Sequence, residues 1–83
     1  MVLEKTYYPL ATLYSITDAN IAYCKILMVA RSGTVFSQTD VDATLISGSP
    51  FYEYTPSAGT ITFNPNIPFL DNESINIVYD TNP

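Results

Sequence analysis

Pairs of acidic side chains, two residues apart, stand next to turn sequences in two places. Asp40 and Asp42 form one pair, and Asp71 and Glu73 form the other. Carboxylates grouped in this way can supply oxygen ligands to Ca²⁺, but a calcium loop normally provides roughly 6 to 8 oxygens and a glycine-aided bend. Neither stretch has the pattern of an EF-hand, so we interpret both pairs as solvated turn residues and predict no metal site.

Glu53 is the acid in the most enzyme-like position, because Tyr52 and Tyr54 flank it. Glycoside hydrolysis needs a second carboxylate at a defined distance, and nothing in the spacing of the acids identifies one. The two tyrosines lie on one side of a strand, where their rings could stack on a sugar, so Tyr52, Glu53 and Tyr54 are candidate glycan contacts. The alternative, which we favour, is that the tyrosines pack in the core or in a subunit interface.

Cys24 is the single cysteine, and the chain contains no histidine to activate it. It lies in an apolar run, which indicates an inert buried thiol. Asn72-Glu73-Ser74 matches the glycosylation sequon, but no signal peptide precedes it and we interpret it as a turn. The sequence contains no recognisable set of catalytic residues, so we expect a protein that is not an enzyme and has no cofactor.

The composition excludes several classes of protein. The 83 residues suffice for one small domain, and the net charge of −5 provides no basic surface for nucleic acid or an anionic membrane. No apolar run is long enough to span a membrane. With 47% hydrophobic residues the chain should fold, but a domain of this size is only marginally stable, which favours a homo-oligomer.

Short apolar runs rich in β-branched and aromatic residues alternate with turn sequences, which is typical of an all-β chain. Apolar and polar residues alternate in residues 60–64 and 75–80, and each stretch indicates a strand with one buried face. Residues 51–54 form another predicted strand, and residues 56–59 can close a hairpin between it and residues 60–64. In that turn Gly59 can adopt a positive φ.

Residues 21–31 are compatible with two structures. One is a helix capped by Asp18, and the other, which we favour, is a strand that turns at Ser32-Gly33 into residues 34–37. Asp18 can start one helical turn in either case. Residues 41–46 are a further short strand. In the strand interpretation, alternate residues share one face, namely Tyr23, Lys25, Leu27, Val29 and Arg31.

Residues 1–16 contain aromatic and aliphatic side chains interrupted by Pro9. They form either an edge strand, where proline is tolerated, or an arm that lies on a partner. The candidate partner contacts are Tyr7, Tyr8, Leu10 and Leu13. Residues 17–83 form the β domain in both interpretations.

A set of motifs extends over residues 17–82. It begins with Thr17-Asp18-Ala19-Asn20-Ile21, continues with the G-x-I-x-F strand Gly59-Thr60-Ile61-Thr62-Phe63, and ends with the I-x-I-x-Y strand Ile75-Asn76-Ile77-Val78-Tyr79. This order resembles the small β domains of virion proteins from tailed phages and Bacteroidota phages. The resemblance implies a structural role in the virion as a head-decoration, head-fibre, spike or tail component.

We therefore expect an all-β antiparallel sandwich or compact barrel of about six or seven strands. It would be a non-enzymatic structural subunit of a bacteriophage virion, bound to itself and to other virion proteins through apolar faces and sheet edges. The alternative is a carbohydrate-binding or host-receptor adhesion module. The predicted core consists of Leu27, Val29, Ile61, Phe63, Ile75, Ile77 and Tyr79.

Overall fold

The computed structural model describes residues 1–39 and 51–82, in which seven strands form one curled sheet shaped as a half-barrel. The strands are β1 Val2–Tyr7, β2 Ser15–Thr17, β3 Lys25–Arg31, β4 Thr34–Gln38, β5 Phe51–Thr55, β6 Thr60–Phe63 and β7 Ile75–Asp80. Their order across the sheet is β1-β7-β3-β4-β5-β6-β2, which places β1 and β2 at the two edges. The prediction of an all-β fold is confirmed.

The strand pairs of the described sheet are antiparallel except for one. β4 and β5 run parallel, with Ser37 opposite Phe51, whereas only antiparallel pairs were predicted. The predicted strand 41–46 and the acidic pair Asp40 and Asp42 lie outside the described residues.

Two predicted hairpins form with the expected turn residues. Ser32 and Gly33 both have positive φ, 46° and 88°, which is the type I′ geometry that matches the twist of β3 and β4. Gly59 has φ 67° at the turn between β5 and β6 and donates its N–H to the Thr55 carbonyl. A side chain at Gly59 would overlap the backbone of Asp18, so this turn also packs against the start of the helical turn.

The segment 21–31 forms a strand only from Lys25 onward. Before it, Ala19–Ile21 is a 3-10 turn, and the Asp18 side chain caps this turn by accepting the N–H of Asn20 at 2.9 Å. Ile21 is fully buried at the end of that turn. The strand interpretation is therefore confirmed for residues 25–31, and the start of the strand was placed too early.

The hydrophobic core lies on the concave face of the sheet. Its residues are Ile21, Val29, Phe36, Tyr52, Ile61, Phe63, Phe69, Ile75, Ile77 and Tyr79. Among the predicted core residues, Leu27 is the exception, because 46% of its surface is exposed.

A β-bulge explains the exposure of Leu27. Ile26 pairs with Tyr79 and Met28 pairs with Val78, so Leu27 is an extra residue without a partner in β7. An extra residue reverses the alternation of side chains along a strand. Ile26 and Val29 consequently share the core face although they are three residues apart, and the predicted face containing both Lys25 and Val29 is wrong.

Candidate interaction surface

The loop between β1 and β2 crosses from one edge of the sheet to the other, and its backbone is fixed by hydrogen bonds. Thr12 donates its N–H to the Phe69 carbonyl at 2.9 Å, and Phe69 donates its N–H to the Leu13 carbonyl at 2.7 Å. Phe63 of β6 donates to the Tyr14 carbonyl at 2.8 Å. These bonds hold the main chain of residues 12–14 in place against Phe63 and Phe69.

Large apolar side chains on this loop and on the segment bonded to it are exposed. We call the following four residues the apolar loop surface: Tyr8, Leu10, Leu13 and Leu70, which are 76%, 75%, 49% and 69% exposed. Clustered exposure of large apolar groups marks interaction sites more often than single exposed residues do. Three of the four were predicted as partner contacts. Leu70 was not, because only the bonds between residues 12–13 and Phe69 bring it to the loop.

Tyr7, the remaining predicted partner contact, has an internal role. Its hydroxyl donates to Asp18 Oδ2 at 2.8 Å, and the Lys5 ammonium donates to the same oxygen at 2.6 Å. Lys5 also lies 5.1 Å from the centre of the Tyr7 ring. Since Lys5 and Tyr7 belong to β1 and Asp18 directly follows β2, this cluster links the two edges of the half-barrel.

The charges of the cluster shift the acidity of its members. The hydrogen bond from Lys5 is the main cause that lowers the pKa of Asp18 to about 2. Burial and the adjacent Asp18 carboxylate raise the pKa of the Tyr7 hydroxyl. Asp18 therefore stays ionised, and Tyr7 stays a hydrogen-bond donor, across the physiological pH range.

The residues proposed as glycan contacts do not share one surface. Tyr52 is only 4% exposed and belongs to the core. Tyr54 packs against the core and donates its hydroxyl to the Ile21 carbonyl at 2.6 Å. Glu53 lies between them on the opposite face of β5. The two rings thus stabilise the domain and do not present a flat platform for a sugar.

A buried ion pair is the feature that the sequence did not indicate. Arg31 is 6% exposed, and it binds both carboxylate oxygens of Glu73, with Nε and Nη2 each at 3.0 Å. Its guanidinium lies between 4.8 and 5.5 Å from the centres of three rings, those of Phe36, Phe63 and Phe69. Burial alone would raise the pKa of Glu73, but the hydrogen bonds from Arg31 and the Leu70 N–H, with the arginine charge, lower it.

A recess of about 310 Å³ opens beside this ion pair. It is lined by Arg31, Ser32, Thr34, Phe36, Ile67 and Glu73. Arg31 Nη1 is the one buried polar side-chain atom of the described residues that has no hydrogen-bond partner. The recess lining includes no cysteine or histidine that could act as a nucleophile or base, and the pair of Arg31 and Glu73 holds residues 68–73 against the end of β3.

The remaining candidates within residues 1–39 and 51–82 are the Asp71 and Glu73 pair, Cys24 and Asn72. Glu73 Oε1 accepts hydrogen bonds from Arg31 and from the Leu70 N–H, and Oε2 accepts one from Arg31, so these oxygens are already used by protein donors. No group of three acidic, cysteine or histidine side chains in the described residues could hold a metal. Cys24 is half-buried with carbonyl partners, and Asn72 has φ 62° in the predicted turn.

Comparisons with protein-family models, curated proteins and solved structures find no match to this chain. Within residues 1–39 and 51–82, no helix has the length and hydrophobicity to cross a membrane. The fold and its surface thus assign the chain to a structural class and to no known family. Residues 1–39 and 51–82 form a small all-β half-barrel with two sheet edges, and the loop that joins these edges carries exposed apolar side chains.

Proposed function

We propose that the chain is a non-enzymatic structural subunit of a bacteriophage virion and that it associates through the apolar loop surface. The observation that carries this proposal is the exposure of Tyr8, Leu10, Leu13 and Leu70 on the loop and on the segment bonded to it. The backbone bonds at residues 12–14 order part of this surface in advance, which lowers the conformational entropy lost on binding.

The chemistry of this surface suits a permanent contact. Obligate interfaces are large, poor in charge and rich in aromatic and aliphatic groups. Burying a leucine or aromatic side chain fully is worth about 1.5 to 3 kcal/mol. Leu10, Leu13 and Leu70 therefore contribute several kcal/mol when a partner covers them, and the rest of the interface must help to offset an association cost of about 4 to 15 kcal/mol.

The assignment to a virion is supported by the resemblance of residues 17–82 to the small β domains of phage virion proteins. The strands that carry its G-x-I-x-F and I-x-I-x-Y motifs are β6 and β7, which both contribute to the core. The partners would be other copies of this chain and other virion proteins. The buried position of Tyr52 and the half-buried position of Tyr54 favour this assembly role over glycan binding.

Light scattering on the purified protein across a range of concentrations tests the assembly role. We expect a mass that is a stable multiple of the 9.2 kDa chain. The double variant Leu10→Asp with Leu13→Asp should dissociate into smaller species. Val35→Asp is the matched control, because Val35 is exposed on β4, away from the loop. A wild-type monomer at every concentration, or equal effects of the loop and control variants, would contradict the proposal.

The virion assignment needs a separate measurement. Particles purified on a density gradient from cultures that encode this chain should contain it at a fixed ratio to the major capsid protein, as measured by quantitative mass spectrometry. Recovery of the chain only in the soluble fraction would refute the virion assignment and leave the assembly role to be judged by light scattering.

A further inference from the structure

Within the described residues, only one basic side chain is free to contact another molecule. The sequence contains three basic residues, namely Lys5, Lys25 and Arg31. Lys5 forms a salt bridge with Asp18, and the buried Arg31 forms one with Glu73. Lys25 is exposed and forms no salt bridge with any described residue. A basic side chain that attracts a carboxylate of another copy must therefore be Lys25.

Lys25 lies at one end of the sheet, close to exposed apolar side chains. Val2 and Lys25 both pair with Asp80 of β7, so their side chains belong to one row across three strands. Tyr23 and Leu27 are each two residues from Lys25 along the chain. We call the following four residues the far-end surface: Val2, Tyr23, Lys25 and Leu27, of which the apolar three are 57%, 64% and 46% exposed.

Two carboxylates lie near the far-end surface, and neither cancels the attraction of Lys25. Asp80 accepts hydrogen bonds from the Met1 ammonium at 3.1 Å and from the Asn82 N–H at 2.9 Å, so donors of its own chain hold it. β7 lies between the strands of Glu4 and Lys25, which places these strands roughly 10 Å apart. That distance is about one Debye length at moderate salt, so solvent ions screen Glu4 from a group bound at Lys25.

The apolar loop surface lies at the opposite end of the sheet and has the opposite charge beside it. Tyr7, after which the loop begins, pairs with Ile75 at the start of β7, whereas Asp80 ends β7. Ile75 and Asp80 lie roughly 17 Å apart along the strand. Asp71 follows Leu70, is exposed, and forms no salt bridge with any described residue. One end thus combines apolar side chains with a free carboxylate, and the other combines them with a free ammonium.

We propose that copies of this chain associate head to tail, with the apolar loop surface of one copy on the far-end surface of the next and Asp71 beside Lys25. This inference rests on the proposed function and deepens it, because it names the partner, a second copy, and the surface of that copy. The two surfaces lie at opposite ends of the molecule, so one chain cannot join them by itself. A contact between different surfaces closes a ring or extends a fibre when it is repeated.

The main alternative is a two-fold contact between two apolar loop surfaces, and the charges disfavour it. Such a contact brings two Asp71 carboxylates into one interface, where like charges are destabilising. Lys5 and Arg31 cannot neutralise them, because each is bound to a carboxylate of its own copy. Lys25 would stay at the far end, outside the interface. The head-to-tail contact is the arrangement that gives Asp71 a basic partner.

Exchanging the two charges tests this contact by light scattering. Lys25→Glu should shift association to at least ~10-fold higher protein concentration, because it sets two carboxylates against each other. Lys25→Glu combined with Asp71→Lys restores an opposite pair and should return the wild-type mass. The matched control is Lys25→Glu combined with Glu53→Lys, which has the same net charge but keeps Asp71 acidic, and it should stay dissociated. Equal masses for the two double variants, with unchanged far-UV circular dichroism, would overturn the contact.

A mixing experiment distinguishes the head-to-tail contact from the two-fold contact. The variant Leu10→Asp with Leu13→Asp keeps its far-end surface, and the Lys25→Glu variant keeps its apolar loop surface. At a concentration where each variant alone is a monomer, an equimolar mixture should form a dimer with one chain of each, because one intact contact remains. A two-fold contact needs two intact loop surfaces, so a mixture without this dimer would refute the head-to-tail arrangement.

The failure of this inference can be told apart from the failure of the proposed function. If the Leu10 and Leu13 variant dissociates but Lys25→Glu keeps the wild-type mass, the head-to-tail contact is wrong and the proposed function stands. If Lys25→Glu dissociates the assembly and the Leu10 and Leu13 variant keeps its mass, the apolar loop surface and its contact with the far end are both wrong.

Discussion

Replacing Glu73 by glutamine tests the buried ion pair most directly. Glu73→Gln keeps the shape of the side chain but leaves the Arg31 guanidinium buried without a counter-charge, and only 6% of Arg31 and 9% of Glu73 are exposed. Removing one partner of such a pair costs about 3 to 5 kcal/mol. Domains of this kind are stable by roughly 5 to 15 kcal/mol, so the loss is a large part of the total.

The size of the domain converts this loss into a measurable shift. In a domain of 60 to 100 residues, 1 kcal/mol corresponds to about 4 to 8 °C in Tm. Glu73→Gln should therefore lower Tm by at least ~12 °C, measured by circular dichroism at pH 7. Asp71→Asn is the matched control, because the nearby Asp71 side chain is exposed in the same turn and should change Tm little.

A double variant makes the reasoning refutable. Replacing Arg31 and Glu73 together by methionine and leucine removes both charges, and such exchanges are often neutral or stabilising. The double variant should consequently be more stable than Glu73→Gln. A Glu73→Gln protein within about 1 kcal/mol of wild type, or a double variant less stable than the single one, would show that the guanidinium is held by the three phenylalanine rings and not by its carboxylate.

Five further substitutions, in three sets, test the fold. Because the pKa of Asp18 is lowered to about 2, its contribution to the folding free energy is complete above the pKa of the unfolded chain and is lost as the pH falls towards 2. Asp18→Asn should lower the free energy of unfolding by about 1 kcal/mol at pH 7. It should also weaken the decrease of that free energy at acidic pH, as measured by urea denaturation at several pH values. Gly59→Ala should cost about 2 kcal/mol or more, from positive φ and overlap with Asp18, whereas Gly33→Ala, with open space around it, should cost about 1 kcal/mol. Leu27→Ala should lower the free energy of unfolding by less than about 1 kcal/mol, because Leu27 is exposed at the bulge, and Val29→Ala should lower it by about 2 kcal/mol, because Val29 is buried. Equal losses for the two variants would contradict the bulge.

Local patterns were sufficient for the elements whose chemistry is contained in a few neighbouring residues. The Ser32-Gly33 turn and the Gly59 turn both require positive φ at named positions, and the alternation in β6 and β7 places their buried residues correctly. Leu27 is a residue that local patterns place wrongly. A bulge is fixed by the register with β7, more than 45 residues away along the chain, so period-two counting within β3 cannot detect it.

The residues of the candidate site that lie on one loop could be predicted from the sequence, and those that distant segments bring together could not. Tyr8, Leu10 and Leu13 are exposed apolar residues of one loop, and their composition alone suggested a contact. Leu70 joins them only through hydrogen bonds between distant segments. Arg31 likewise is buried because Glu73 and three aromatic rings meet it in space, and a charged residue at a strand end otherwise predicts exposure.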